Sequence, residues 1–314
     1  MTISNETALP YDQGFHIEET ATIIMIALLL ALIILFAHPV EFVDLLVLNL
    51  CCIALIIFVR AVALRVKRDF FTVFRDWFAL LFLIIIYMEH STLIPRINPH
   101  DVDDLLIGAD RFLFAGHDPT VLMERFTHPV LTEFLQIVYT SYYFLPAVLC
   151  FWLYAKGDKS AFHISASALL IGFYISYIGY YASPAIGPRF TLDHLQIMPL
   201  DGVLTFHFLR NALDQMEGIT RDCYPSGHAM ISFITVLLAR RYLKSYAVAA
   251  LVWTLLLLIS AIYLRYHYVV DVIVGIALSF VVYGFVPLIE KYVTRGRSGR
   301  VAQAAALPGG AALP

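Results

Sequence analysis

Hydrophobic positions along this chain come in long unbroken blocks rather than in alternation. "ATIIMIALLLALIILFA" (21–37) and "LVWTLLLLISAIYL" (251–264) carry no charged side chain. An apolar block of about twenty residues is what an α-helix needs to cross a bilayer's hydrocarbon core. Eight such blocks can be marked, at roughly 20–37, 43–63, 76–95, 128–154, 162–183, 227–243, 245–264 and 267–290. The pattern predicts an all-α polytopic membrane bundle of about eight transmembrane helices.

Polar punctuation divides the chain further. Residues 1–70 read as an N-terminal segment with two transmembrane helices, 71–292 as a six-helix catalytic core, and 293–314 as a disordered tail of small, Gly- and Pro-rich sequence. No Lys or Arg precedes the first block, so it lacks the basic region of a signal peptide and is expected to be retained. The loop after the third block, "RINPHDVDDLLIGADRFLFAGHDPTVLMERFTH", has apolar residues at near-helical spacing among acids. Short interfacial helices are expected there.

Composition agrees with the pattern: 60% of residues are hydrophobic and 14% charged. The net charge of −3 identifies no partner, and no nucleic acid is expected. The four cysteines, Cys51, Cys52, Cys150 and Cys223, show no paired C-x2-C zinc spacing and no disulfide framework.

The distribution of charge says more. With eight spans, one side holds Arg60, Arg65, Lys67, Arg68, Arg75, Lys156, Lys159, Arg240, Arg241, Lys244, Lys291, Arg295, Arg297 and Arg300, which include every lysine. The positive-inside rule makes that side cytoplasmic, with both termini. The other side carries only arginine: Arg96, Arg111, Arg125, Arg189, Arg210, Arg221 and Arg265. Arginine's planar fork suits phosphate or carboxylate.

Two stretches concentrate chemistry on that outer side. In "YLRYHYVVDVIVG", His267 and Asp271 are four apart and share a helical face. An acid inside an apolar block needs a partner, and a carboxylate on one imidazole nitrogen leaves the other nucleophilic. In "RDCYPSGHAM", Pro225 suits a helix start, Ser226 and Gly227 offer backbone N–H groups to an anion, and His228 can give a proton. With Arg189 and Arg265 nearby in topology, these residues compose a phosphoryl-transfer site without metal or other cofactor. His267 would attack phosphorus and His228 would protonate the leaving oxygen.

Pro225-Ser226-Gly227-His228, followed by Ser260, His267 and Asp271, resembles the second and third motifs of the type 2 phosphatidic acid phosphatase superfamily. The resemblance covers roughly 76–290. It implies His267 as nucleophile, Asp271 as its orienter, His228 as leaving-group acid, and Ser226 and Gly227 as phosphate binders. Two family positions depart: the third-motif arginine falls at Ala261 and the first-motif lysine at Ala182. Gly187-Pro188-Arg189 and Arg265-Tyr266-His267-Tyr268 are similar to the branch containing fungal inositol phosphorylceramide synthase, with Arg265 standing in for the missing arginine.

The expected substrate is a membrane lipid phosphate at the extracytoplasmic face, with water or a lipid or alcohol hydroxyl as acceptor. The competing reading is a proton-coupled transporter that uses His228, His267 and Asp271 as a relay. Against it, these residues cluster at one membrane face, and it gains if Asp271 and His228 lie far apart. Glu89 and His90 are expected either to line the site or to reach the interface. His100, Asp101, Asp104, Asp110 and Arg111 are expected to organise the outer loop, and Asp193, His194 and Asp222 either bind an acceptor or lie in solvent.

Overall fold

In lipid a backbone must satisfy its own hydrogen bonds, and the apolar blocks do so as helices. The computed structural model describes residues 14–37, 39–66, 68–217 and 221–294, and the predicted tail from 295 lies outside them. In chain order come α1 (Ile17–Phe36), α2 (Val43–Val66), α3 (Asp69–Ile97), α4 (Asp103–Leu113) and the single turn α5 (Pro119–Leu122). They are followed by α6 (Pro129–Thr140), α7 (Phe144–Ala155), α8 (Lys159–Ala182), α9 (Pro188–Thr191), α10 (Phe206–Glu217), α11 (Gly227–Tyr242), α12 (Lys244–Tyr263) and α13 (Val269–Gly284). No strand occurs among the described residues.

Among the described residues, seven segments are long and apolar enough to cross a membrane: α1, 40–66, α3, α6 with α7, α8, α12, and 269–294. The eighth expected span becomes α11, whose 16 residues rise about 24 Å, short of the ~30 Å of hydrocarbon. Its bounds are nearly those marked in the sequence, 227–243, a stretch that is itself shorter than a full span. Its first turn packs against Gly275 of α13, and its last turn reaches Glu290, where Arg241 and Tyr242 bond the carboxylate.

α8 is the shared wall of the bundle. Its run of small residues (Ser165, Ala166, Ser167, Ala168) is fully buried, and small side chains let membrane helices approach closely. One apolar cluster joins α8 to α7, α11, α12 and α13, and a second joins it to α1, α2 and α3. The first two helices thus dock on α3 and α8 rather than on the helices bearing the motifs. Exposed Ile24, Phe36, Phe58, Ile84, Phe151 and Val248 face outward, as lipid-facing positions should.

Buried charges at the lysine-bearing end clamp α1 to the core. Arg75 of α3 bonds both oxygens of Glu19 at 2.7 and 2.8 Å, and His163 of α8 meets Glu18 at 3.1 Å. The acids that precede the first apolar block are therefore neutralised internally. Removing one partner strands a buried charge, which is far costlier than losing a surface pair.

Candidate active site

At the other end of the bundle the chain leaves α12 in a tight turn. The N–H groups of Tyr266 and His267 both bond Ala261 O, at 2.9 and 3.1 Å, and Arg265 takes φ +68. This turn presents His267 immediately before α13. Asp271, the third residue of α13, accepts the Tyr268 N–H at 3.1 Å, so one carboxylate both caps the helix and faces the imidazole.

The two motif stretches converge. Asp271 Oδ2 lies 3.2 Å from His267 Nδ1, and His267 Nε2 lies 3.4 Å from both His228 Nδ1 and Ser226 Oγ. Ser226 caps α11 by accepting the Ala229 N–H at 3.2 Å. No acceptor among the described residues takes the N–H groups of Gly227 or His228, so α11 begins with two donors beside the imidazole pair. Ser226 and Asp271 are fully buried and His267 is 4% exposed, which strengthens every electrostatic contact in the group.

Gly275 explains how the helices come so close. A Cβ there would stand 2.5 Å from Ser226 O and 3.0 Å from Ala229 Cβ. Gly187, in the Gly-Pro-Arg stretch, has φ +102, which favours glycine, and a Cβ would lie 3.1 Å from Tyr266 O.

Side chains that motif spacing alone does not reveal complete the site. Cys223 donates its thiol proton to Asp271 Oδ2 at 3.0 Å. Burial, then the Asp271 charge, pushes the thiol well above its ordinary range, so it stays a donor. Tyr139 stacks on the His228 ring at 4.6 Å, and Tyr142 approaches it at 4.3 Å. Its place three residues before Ser226 is the signal for Cys223; for the tyrosines it is their i,i+3 spacing. Replacing Cys223 with alanine should lower turnover about tenfold by removing one hydrogen bond to a charged group, while serine should keep most of it. Steady-state rates of the two variants check this.

The loop after α3 forms α4, a short helix as expected, and its acids hold the site. Asp110 accepts the N–H groups of Val269 and Val270 at 2.9 and 2.8 Å. Asp103 accepts those of Ile186 and Gly187 at 2.9 and 2.8 Å, along with the Tyr268 hydroxyl. Asp110→Ala orphans two part-buried donors, at about 1–3 kcal/mol each, and should lower the melting temperature in detergent by several degrees.

Other expected residues lie elsewhere. Glu89 accepts from Asn49 at 2.8 Å and His90 packs among Tyr177, Tyr180 and Tyr181, so both serve helix packing. Asp222 accepts the Tyr87 hydroxyl at 2.6 Å, Asp101 pairs with Arg221, and Arg111 with Asp118, while Asp193 and His194 are exposed. Arg189 bonds Asp214 through both terminal nitrogens, at 2.6 and 2.8 Å. Arg265 is held by Glu124 at 2.8 Å and Met198 O at 2.5 Å.

Two groups have metal-ligand spacing among the described residues: Cys223 with His267 and Asp271, and His16 with Glu18 and His163. The first is already joined through its own protons, and an ion there would displace the proton that orients His267. The second lies at the far end of the bundle.

A helical membrane bundle with a His–Asp pair, a second histidine and a helix start at one end defines the class of this molecule. Residues 104–285, more than half of the chain, match the family model described as PAP2 superfamily, and the chain belongs to that superfamily. A PA-phosphatase related-family protein of Dictyostelium discoideum is 29% identical over 99 residues, covering 31% of this chain and 18% of its own length. No solved structure matches. Membership and the membrane helices together support a phosphatase-like function in the membrane.

Proposed function

We propose that the protein transfers the phosphoryl group of a membrane lipid phosphate ester through a phosphohistidine on His267. The observation that carries the reading is the row Asp271–His267–His228, with contacts of 3.2 and 3.4 Å, beside the first turn of α11. Asp271 fixes the proton on Nδ1, so the Nε2 lone pair is free to form a P–N bond as the P–O bond to the leaving group breaks. His228 gives its proton to the departing oxygen, and the N–H groups of α11 stabilise charge on the phosphoryl oxygens. In the second half His228 takes a proton from water or an acceptor hydroxyl as that oxygen replaces nitrogen on phosphorus. Every step uses groups of this chain, and activity is expected without a metal or cofactor.

The site lies at the end of the bundle opposite Lys159, Arg240, Arg241 and Lys244, which supports an extracytoplasmic location under the positive-inside rule. The Gly187-Pro188-Arg189 stretch and the turn at Arg265 favour a transferase like the inositol phosphorylceramide synthase branch. The gathering of His228, His267 and Asp271 at one end of the bundle, rather than along a path through it, favours an enzyme over a proton relay.

The test is a phosphorus balance on purified protein and its His267→Ala variant in liposomes. Phosphatidic acid, a polyprenyl diphosphate and phosphatidylinositol would each be supplied with and without ceramide or diacylglycerol. Free phosphate lost in the variant identifies a hydrolase, and a new phospholipid formed only with acceptor identifies a transferase. Equal activity in the variant refutes the phosphohistidine.

A further inference from the structure

Five of the six outer arginines from Arg111 onward have a carboxylate or carbonyl partner: Arg111, Arg125, Arg189, Arg221 and Arg265. Arg210 differs. It is half-buried on α10, and no hydrogen bond or ion pair from the described residues reaches its guanidinium, which lies 5.5 Å from the Phe206 ring centre. A guanidinium partly withdrawn from water with no protein acceptor gains from an anion that meets it.

Its surroundings sharpen the point. Burial first, and then the charge of Arg189, press its proton affinity below the ordinary arginine range, against the opposing pull of Tyr266 and Asp214 and with Arg265 adding to the effect. Two cations held together in this way attract an anion between them. The location also fits the chemistry. The Arg189 guanidinium lies 5.9 Å from the Tyr266 ring centre, Tyr266 stacks on Tyr139 at 4.3 Å, and Tyr139 stacks on His228 at 4.6 Å. Two stacked rings thus link Arg189 to the proposed acid.

α10 is fixed firmly enough to present Arg210. Glu133 of α6 accepts the N–H groups of Val203, Leu204, Thr205 and Phe206 and the Thr205 hydroxyl, gathering the residues at the helix start. Asp214, four residues after Arg210, holds Arg189 with two oxygens at 2.6 and 2.8 Å, which is how two phosphate oxygens would engage the fork. Its side chain is 40% exposed and free to leave toward water.

We propose that Arg210 and Arg189 form a two-arginine clamp for phosphate oxygens of the substrate, and that Asp214 competes with phosphate for Arg189. Arg210 is then a substrate-binding residue outside the motif positions, carried by a helix between them. The inference rests on the lipid-phosphate reading above.

The experiment uses the purified full-length chain with phosphatidic acid, a polyprenyl diphosphate, and inorganic phosphate both as inhibitor and as stabilising ligand in thermal unfolding. In Arg210→Gln the substrate KM should rise roughly ten- to a hundredfold, with the loss falling on KM more than kcat, and stabilisation by phosphate should disappear. Arg210→Lys should recover part of it, and the melting temperature without phosphate separates weakened binding from misfolding. Asp214→Asn should lower KM several-fold. A loss confined to the diphosphate places the clamp on the second phosphate, and a loss shared with phosphatidic acid and inorganic phosphate places it on the reacting one. An active wild type with unchanged KM and phosphate response in Arg210→Gln overturns the clamp and leaves the lipid-phosphate reading standing. A raised KM in Asp214→Asn overturns the competition. A wild type that is stabilised by phosphate through Arg210 but turns over no lipid refutes the lipid-phosphate reading and supports the anion site.

Discussion

Asp271→Asn should retain the fold and lose about three to four orders of magnitude in turnover, and His267→Ala should fall to background. The asparagine carbonyl can occupy the place of Oδ2, which accepts from His267, Cys223 and Tyr268. Its amide group would then lie where Oδ1 has no hydrogen-bond partner. Shape and most hydrogen bonds survive, so the loss measures the carboxylate's charge opposite a phosphorylated imidazole. Turnover in liposomes checks the magnitude, and the melting temperature shows whether the fold is kept. Near-normal turnover in Asp271→Asn would mean that the aspartate only caps α13.

The second large effect comes from a residue without functional groups. Gly275→Val should lower turnover by about a hundredfold with the protein still folded, and Gly275→Ala should lower it less. A Cβ at this position meets Ser226 O at 2.5 Å and the Met230 backbone nitrogen at 3.3 Å, neither of which can rotate away. α13 must then move off α11. Ser226 and His228 ride on one helix and Asp271 on the other, and a misplacement of about 1 Å between reacting groups costs on the order of a hundredfold. Activity close to wild type in Gly275→Val would show that the helices tolerate separation.

Both predictions depend on groups whose legibility in the sequence differed. The spans were readable because twenty apolar residues in a row have few alternatives in water or lipid. His267 and Asp271 were readable because one helical turn separates them, and His228 because Ser226 and Gly227 mark a helix start beside it. α11, Gly227–Tyr242, keeps almost the bounds marked for it, and it is short because its apolar stretch is short.

What local pattern could not show is what the tertiary fold brings together. Cys223 looks inert in an apolar chain until Asp271 is placed 3.0 Å away. Asp110 looks like one loop acid among several until it caps α13 at Val269 and Val270. Arg189 and Arg265 were expected to reach phosphate directly, whereas their donors are engaged by Asp214 and Glu124. Arg210 counted in the sequence only as one outer arginine among seven, although Phe206, Leu209 and Leu213 around it have helical spacing and mark α10.

The most direct measurement is to trap the intermediate. Purified protein would be mixed with lipid substrate labelled in its transferable phosphate, quenched in alkali within one turnover, digested and mapped by mass spectrometry. An acid-labile, alkali-stable phosphate on His267 that forms within one turnover and is absent from His267→Ala is the expected result. Label that turns over without ever residing on His267 would contradict the phosphohistidine and, with it, the role assigned to Asp271.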